Sequence, residues 1–362
     1  MRILYLTFDD LSRPYAWSVH VREIVNGLVA RGHDVRLVCP GGAAPGVRAP
    51  CDPLPRGRWS HFVSSLATFV GAGRNHRSDV LYVRGIHLSL TPVFAADLLG
   101  RPLVVEVNGR LEYETPPGGR RAAVRLAHRI TLARTARVVT VSPVLKRGLA
   151  ADYGFPERRI DVVPNGADLE RFRPSDRDEA RRRLDLPADR PIVVCVASFY
   201  PHHGQQVLVE AAARAGALLV LVGGEPQTGP GLRAVGPVPH ERVPDYVAAA
   251  DVCAYVLRSP DPSFAFSPLK VYEYMAAGRA VAAAVDRPEL RDFVNGRGIG
   301  LATDFDAGAM AAAIRTLIDD PSLREAMGRR GRALAEADYT WGRAAAQVEA
   351  SLRAALTSAG HA

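Results

Sequence analysis

The chain alternates short β-branched runs with stretches whose apolar residues recur at helical spacing. It opens on a strand pattern, "RILYLTF". Val19, Val21, Ile24, Val25, Leu28 and Val29 then form one stripe of "SVHVREIVNGLVARGH", an amphipathic helix. Gly32 leads into the next strand pattern, "DVRLVCP". Others follow at 79–85 ("DVLYVRG"), 102–109 ("PLVVEVNG"), 136–142 ("ARVVTVS") and 159–166 ("RIDVVPNG"). Strands separated by helices pair in parallel through right-handed crossovers, and near-continuous apolar strands fit a sheet covered on both faces. Residues 169–191 interrupt this with a charged, proline-flanked segment that reads as a link plus the first helix of a second unit. The alternation then restarts through "PIVVCVASF", "ALLVLVGG", "RAVGPV", "ADVCAYVL", "RAVAAAV" and "IGLAT", and a helix with Trp341 at its start closes the chain. The expected architecture is α/β, with two doubly wound parallel-sheet domains, 1–172 and 173–342. Open sheets of this kind bind ligands at the carboxyl ends of their strands, which puts the expected site in a crevice between the domains.

Composition narrows the function. At 362 residues the chain exceeds one ordinary core, in keeping with two domains. No apolar run reaches the ~18–20 residues of a membrane span. Asp9 and Asp10 interrupt any signal-peptide core, so the expectation is a cytoplasmic protein. Cys39, Cys51, Cys195 and Cys253 are far apart and form no Cys-x-x-Cys, which leaves a zinc or redox motif without support; they read as buried, reduced thiols. The formal net charge of +8 suits an anionic ligand or surface, and no nucleic-acid-binding motif accompanies it. The basic run 118–137, "GGRRAAVRLAHRITLARTAR", reads as a solvated helix, with contact to anionic lipid at a membrane face as the alternative.

Of 46 lysines and arginines only Lys146 and Lys270 are lysine, a bias expected of a GC-rich bacterial coding sequence. Lys270 sits in "SPLKVYEYMAAGRAV", residues 267–281. Ser267 and Pro268 read as an N-cap and first helical residue, and a helix N-terminus suits a phosphate. Lys270 and Glu273, three apart, share a helix face. A cation beside a phosphate and a carboxylate beside vicinal hydroxyls is the chemistry of a nucleotide diphosphate-sugar, while an ordinary ion pair on a solvated helix is the plain alternative. Ala276, Ala277 and Gly278 let the helix pack closely before turning into a strand.

Four stretches together resemble the retaining nucleotide-sugar glycosyltransferases of GT-B fold, family 4. They are "LVARGHDVRLV", "VTVSPVLKRGLAADYGFPERRIDVVPNGADLERFRP", "AVGPVPHERVPDYVAAADVCAYV" and "FSPLKVYEYMAAGRAV", in the family's order. The resemblance implies two Rossmann-like domains, with the C-terminal one holding the donor and the helix 343–362 crossing back onto the first. Glu273 would hold the ribose, and Ser267, Pro268, Leu269 and Lys270 would meet the diphosphate. Gly236, Pro237 and Val238 would flank the base, and Asn165 would lie at the domain junction. Tyr15, Trp17, His20, Arg84 and Glu106 would line the acceptor side or the cleft. Several positions depart from the family. Ala265 stands where an earlier Glu usually helps hold the donor sugar. Ser198 and His203 replace an Arg and a Lys for the diphosphate, and Asn108 replaces a His near the donor sugar. The implied function is retaining transfer from a UDP- or GDP-sugar to a sugar, glycolipid or natural-product acceptor. It needs no cofactor and no metal, in keeping with an expected absence of any Asp-x-Asp motif. Lys270, His203 and Asn108 would be its catalytic groups. Two other readings stay open: another enzyme of the same fold, such as a sugar-nucleotide epimerase or a non-glycosidic coupling enzyme, and a non-catalytic nucleotide-sugar-binding protein.

Overall fold

The computed structural model describes residues 1–12, 15–42, 44–54, 61–85, 88–197, 204–258 and 267–359. Two compact units emerge. Of the described residues, those within 1–165, residue 267 and 341–359 form the first, and those within 166–258 and 268–340 the second.

The first unit is built on a parallel sheet of β1 (Arg2–Thr7), β2 (Asp34–Pro40), β3 (Cys51–Leu54), β4 (Val80–Arg84), β5 (Leu103–Val107), β6 (Thr135–Thr140) and β7 (Ile160–Val162). Their order is β3-β2-β1-β4-β5-β6-β7. Helices α1 (Ala16–Ala30), α2 (His61–His76), α3 (Thr91–Leu99), α4 (Leu111–Glu114), α5 (Gly119–Arg134) and α6 (Pro143–Tyr153) lie between the strands. Ile3, Leu4, Tyr5 and Leu6 are all fully buried, because both faces of β1 are covered.

The second unit opens with α7 (Arg177–Arg183), β8 (Ile192–Val196), α8 (Gln205–Arg214), β9 (Leu218–Gly229), β10 (Leu232–Gly236), α9 (Val243–Ala249) and β11 (Val252–Leu257). It continues through α10 (Leu269–Ala276), β12 (Val281–Val285), α11 (Pro288–Arg297), β13 (Gly300–Thr303), α12 (Ala307–Asp319) and α13 (Pro321–Asp338). Its sheet runs β10-β9-β8-β11-β12-β13. Gly278, at φ +67°, ends α10 in a left-handed turn, and a side chain at Gly328 would run into the Gly278 carbonyl, so α13 approaches the end of α10 this closely because residue 328 is glycine.

The closing helix is α14 (Trp341–Ala359), which starts two residues before the expected 343 and belongs to the first unit. It lies against α1, where a Cβ on Gly27 would come within 2.5 Å of the Ala345 Cβ.

The boundary falls after Asn165, not after 172. Ala167 donates its N–H to the Tyr339 carbonyl (2.8 Å) and Phe172 is buried beside His240 (ring centroids 5.6 Å), so this stretch packs with the second unit. α7 is fixed there by a buried ion pair, Arg181 Nη2 to Asp251 (2.6 Å). Among the strands, one escaped the periodicity reading and one exceeds it. β3 has four residues with Pro53 among them, too short and too irregular to alternate. β9 continues past the expected "LVLVGG", so that Leu232 of β10 faces both Leu219 and Gly229.

Candidate functional site

Each unit carries one polar cluster that the sequence reading pointed to. In the second unit it surrounds α10. Lys270 Nζ donates to Glu273 Oε2 (2.9 Å), and His240 Nε2 donates to the other carboxylate oxygen (3.0 Å). Arg171 donates to His240 Nδ1 (2.8 Å), which fixes the ring as the Nε2–H tautomer. The Glu273 side chain is 2% exposed, the Lys270 side chain 23%. Burial pushes the Glu273 carboxyl up, but the charge of Lys270 and the His240 contact outweigh it and hold the group below its ordinary value. An i,i+3 pair on a solvated helix has no such burial.

The helix start differs from expectation. Pro268 is the N-cap, in extended conformation and without a side-chain cap, and Leu269 is the first helical residue. Ser267 lies one residue too early to cap. Its hydroxyl accepts from the Asn165 backbone N–H (2.8 Å) and its carbonyl from Asn165 Nδ2 (2.9 Å), which groups Ser267 with the first unit. Gly236, with φ +75°, turns the chain out of β10, and Pro237 and Val238 follow it towards His240. Ser198, His203 and Ala265 lie outside the described residues.

Sequence reasoning missed His240 and Arg171. His240 follows the "GPVP" turn directly, but a lone histidine after a turn gives no hint that it meets a glutamate 33 residues later. The expected absence of Asp-x-Asp is corrected by the sequence itself, which contains Asp176-Arg177-Asp178 and Asp304-Phe305-Asp306. Asp176 caps α7 by accepting from Glu179 N and Asp306 caps α12 by accepting from Ala309 N, both at 2.7 Å.

The second cluster lies in the first unit, on one face of its sheet. Tyr82 and Arg84, two apart on β4, share a face, and Glu106 of β5 is the register partner of Arg84. Glu106 Oε2 accepts from the Tyr82 hydroxyl (2.5 Å). Oε1 meets His20 Nε2 (2.6 Å) and Asn108 Nδ2 (2.5 Å), with Arg84 Nε at 3.6 Å. Arg84 also pairs with Asp9. His20, from α1, turns its Nδ1 to Asn165 Oδ1 (2.7 Å). Asn165 Nδ2 is committed to Ser267, so both ring nitrogens of His20 face oxygen atoms of acceptor groups. Asn108 Oδ1 is buried and has no partner among the described residues. Tyr15 caps α1 by position and its ring packs against Trp17 at 4.3 Å, while Trp17 Nε1 donates to the Asp10 carbonyl (3.4 Å).

Burial drives the Glu106 carboxyl up, yet His20, Arg84 and the Tyr82 hydroxyl together hold it down at about 2. A second buried carboxylate, Glu112, is also held at about 2 against burial, by His128 and Tyr153, and it pairs with Arg110 (2.6 Å) just beyond Asn108. Both folded pKa values lie below the ordinary 4.5. The stability they confer is therefore complete above that value and lost as pH falls through about 2. Urea midpoints measured from pH 7 downwards should hold level and then drop steeply across that window. A profile flat down to pH 2 would contradict the assignment.

Two Rossmann-like units of this construction define the GT-B fold class. Solved structures share it over almost their whole length: the Anabaena protein HepE in complex with UDP-glucose (TM-score 0.81, 20% identity, covering 98% of this chain and 99% of that one) and a sucrose-phosphate synthase from Thermosynechococcus elongatus (0.78, 22%, 99% of each). Residues 18–171 match the model of Glycosyltransferase Family 4 and residues 190–320 that of Glycosyl transferases group 1. The chain belongs to these family 4, group 1 glycosyltransferases. Among its relatives, a D-inositol 3-phosphate glycosyltransferase of Nocardia farcinica is 34% identical over 251 residues, 62% of this chain and 54% of the relative. A GDP-mannose-dependent alpha-(1-6)-phosphatidylinositol monomannoside mannosyltransferase of Mycobacterium tuberculosis is 30% identical over 238 residues, 60% and 61%. The chain thus spans about half the length of the first of these curated relatives.

Proposed function

We propose that the protein transfers a sugar from a nucleotide diphosphate-sugar to an acceptor hydroxyl, with retention at the anomeric carbon and without a metal ion. The observation that carries this reading is the cluster at the start of α10: an ammonium, Lys270, beside free helical N–H groups, and a buried carboxylate, Glu273, held ionised by it and by His240. The diphosphate lies against Lys270 and the N–H groups of the first turn, where the helix dipole favours negative charge. Glu273 accepts from the two ribose hydroxyls, one oxygen each, as Lys270 turns from Glu273 to the phosphates.

The transition state is oxocarbenium-like, and charge grows on the leaving diphosphate. Lys270 and the helix N-terminus stabilise that charge, the principal catalytic term. The acceptor hydroxyl attacks from the face the diphosphate leaves, which takes its proton. Glu106 is not the base or the nucleophile in this reading: donors occupy both its oxygens and its pKa is held at about 2. It serves to hold His20, Arg84 and Asn108, and the free Asn108 Oδ1 is an acceptor for a sugar hydroxyl. UDP- and GDP-sugars are the donor candidates. Relatives named for GDP-mannose and neighbours solved with UDP-glucose support the class and leave the base and sugar to experiment.

A thermal-shift panel of UDP- and GDP-sugars on the full chain tests the donor. A ligand at 100 times its Kd stabilises by ~2.7 kcal/mol, so silence across the panel overturns the reading. Donor binding with epimer but no glycoside product points to the other enzyme class. Exchanging Glu273 for glutamine should raise KM for the donor by about 10–100-fold, the worth of hydrogen bonds to a charged group, and spare kcat, because ribose contacts hardly change along the reaction. A thousandfold loss of kcat at unchanged KM would place Glu273 at the reacting centre instead.

A further inference from the structure

Asp168 folds the start of the second unit into a tight turn. Its Oδ1 accepts from the backbone N–H groups of Glu170 (3.1 Å) and Arg171 (3.0 Å), as short acidic side chains do where a chain bends. The Arg171 guanidinium lies with Nε 3.6 Å from Asp168 Oδ2 and Nη1 2.8 Å from His240 Nδ1. Phe172, next in the chain and 1% exposed, packs beside the same imidazole (ring centroids 5.6 Å). His240 is therefore held on two sides by one short loop, and its Nε2 reaches Glu273 Oε1 at 3.0 Å. Asp168, Arg171, His240 and Glu273 all belong to the second unit, and each touches the next.

The order of donors along this chain has a chemical consequence. A guanidinium can only donate, so Nδ1 of His240 must accept and the ring proton sits on Nε2. In the opposite tautomer the Nε2 lone pair would face the Glu273 carboxylate and repel it. The contact from Lys270 is of another kind. Its ammonium stands on a flexible four-carbon stem, and its side chain is 23% exposed against 12% for His240. Once Lys270 has turned to a diphosphate, His240 still holds Oε1. Each carboxylate oxygen offers about two acceptor directions. On Oε1 one is taken by His240 and one is open to a hydroxyl. Oε2, released by Lys270, is open to a second hydroxyl.

We propose that Arg171 and His240 are positioning residues for ribose recognition. Arg171 selects the tautomer in which His240 donates, and His240 holds the Glu273 carboxylate in one orientation while its two oxygens take up the vicinal hydroxyls. The inference rests on the donor reading given above and deepens it: selection of an intact ribose is set from a loop that acts through Glu273. A chain that merely tied residues 168–172 to the second unit would alter the melting temperature and leave the ratio of two ligand affinities unchanged.

Calorimetric titration of the full chain with UDP and GDP, each beside its 2′-deoxy counterpart, tests this. Wild type should bind the preferred ribonucleotide about 10–100-fold more tightly than its deoxy form, the worth of a hydrogen bond to a charged acceptor. His240→Leu should lose most of that ratio by weakening the ribonucleotide more than the deoxy form. His240→Gln should keep most of it, because the amide can place an N–H where Nε2–H stood. Arg171→Met should lose part of the ratio when His240 is present and none further when combined with His240→Gln, since an amide has no tautomer to select. Non-additivity of this kind marks residues that act in series. The Arg171 side chain is 29% exposed, so its exchange carries the test should His240→Leu lower the melting temperature. A discriminating wild type with the ratio unchanged in both His240→Leu and Arg171→Met overturns the inference and leaves the donor reading standing. A wild type that binds neither nucleotide overturns the donor reading and the inference with it. Equal binding of ribo and deoxy forms by the wild type removes the ribose from Glu273 and overturns the inference while the nucleotide site stands.

Discussion

Lys270→Ala should lower kcat by about 10²–10³-fold, the size of effect produced by removing one preorganised group that stabilises transition-state charge. In the proposed mechanism the diphosphate gains charge as the glycosidic bond breaks, so the ammonium would matter more there than in the donor complex, and KM should move less than kcat. Lys270→Arg should recover only part of the loss. A lysine is a compact point charge, whereas the planar arginine fork demands bidentate geometry and more room beside a helix N-terminus. If Lys270 merely paired with Glu273 on an open helix, the pair would contribute about 0.2–0.5 kcal/mol and neither variant would slow turnover. The buried, doubly engaged Glu273 already argues against that. Steady-state kinetics on both variants, each with its melting temperature measured, decides the matter. A near-wild-type kcat in Lys270→Arg would mean that any cation suffices.

Glu106→Gln should destabilise the chain by about 3–5 kcal/mol, the cost of removing one charge from a buried set and leaving its partners uncompensated. The amide keeps an oxygen for His20, Asn108 and Arg84 and can turn its N–H₂ to the Tyr82 hydroxyl, but it removes the negative charge set against His20 and Arg84 and leaves the buried Arg84 guanidinium less compensated. For a protein of this size about 2–4 °C of Tm is lost per kcal/mol, so a fall of roughly 6–20 °C is expected, measurable by calorimetry. The variant should also lose the acid-sensitive part of its stability profile that Glu106 supplies, while Glu112 keeps its own. A Tm within 2 °C of wild type, taken as about 1 kcal/mol or less, would show that the cluster is solvated and contributes little.

Much of the fold was legible beforehand. Twelve of the strands announced themselves as β-branched runs between helical patterns; the thirteenth, β3, is a four-residue edge containing Pro53, and no period shows in so short a piece. The boundary was misplaced because residues 166–172 look like linker, and only their contacts with Tyr339 and His240 assign them to the second unit. Lys270 and Glu273 could be paired from spacing alone, since three residues on a helix is one face. Glu106 and Asn108 could be paired likewise, since two residues on a strand is one face.

The sequence by itself thus determined two parallel α/β units, the helix bearing Lys270 and the strand end bearing Glu106, because periodicity and local spacing act within single elements. Only the tertiary structure decided that His240 and Arg171 complete the Glu273 pair, that His20 and Asn165 bridge Glu106 to Ser267, and that Cys39 faces Cys51. These contacts join residues separated by up to 145 positions, brought together by sheet register and helix packing, and no local pattern encodes such a meeting.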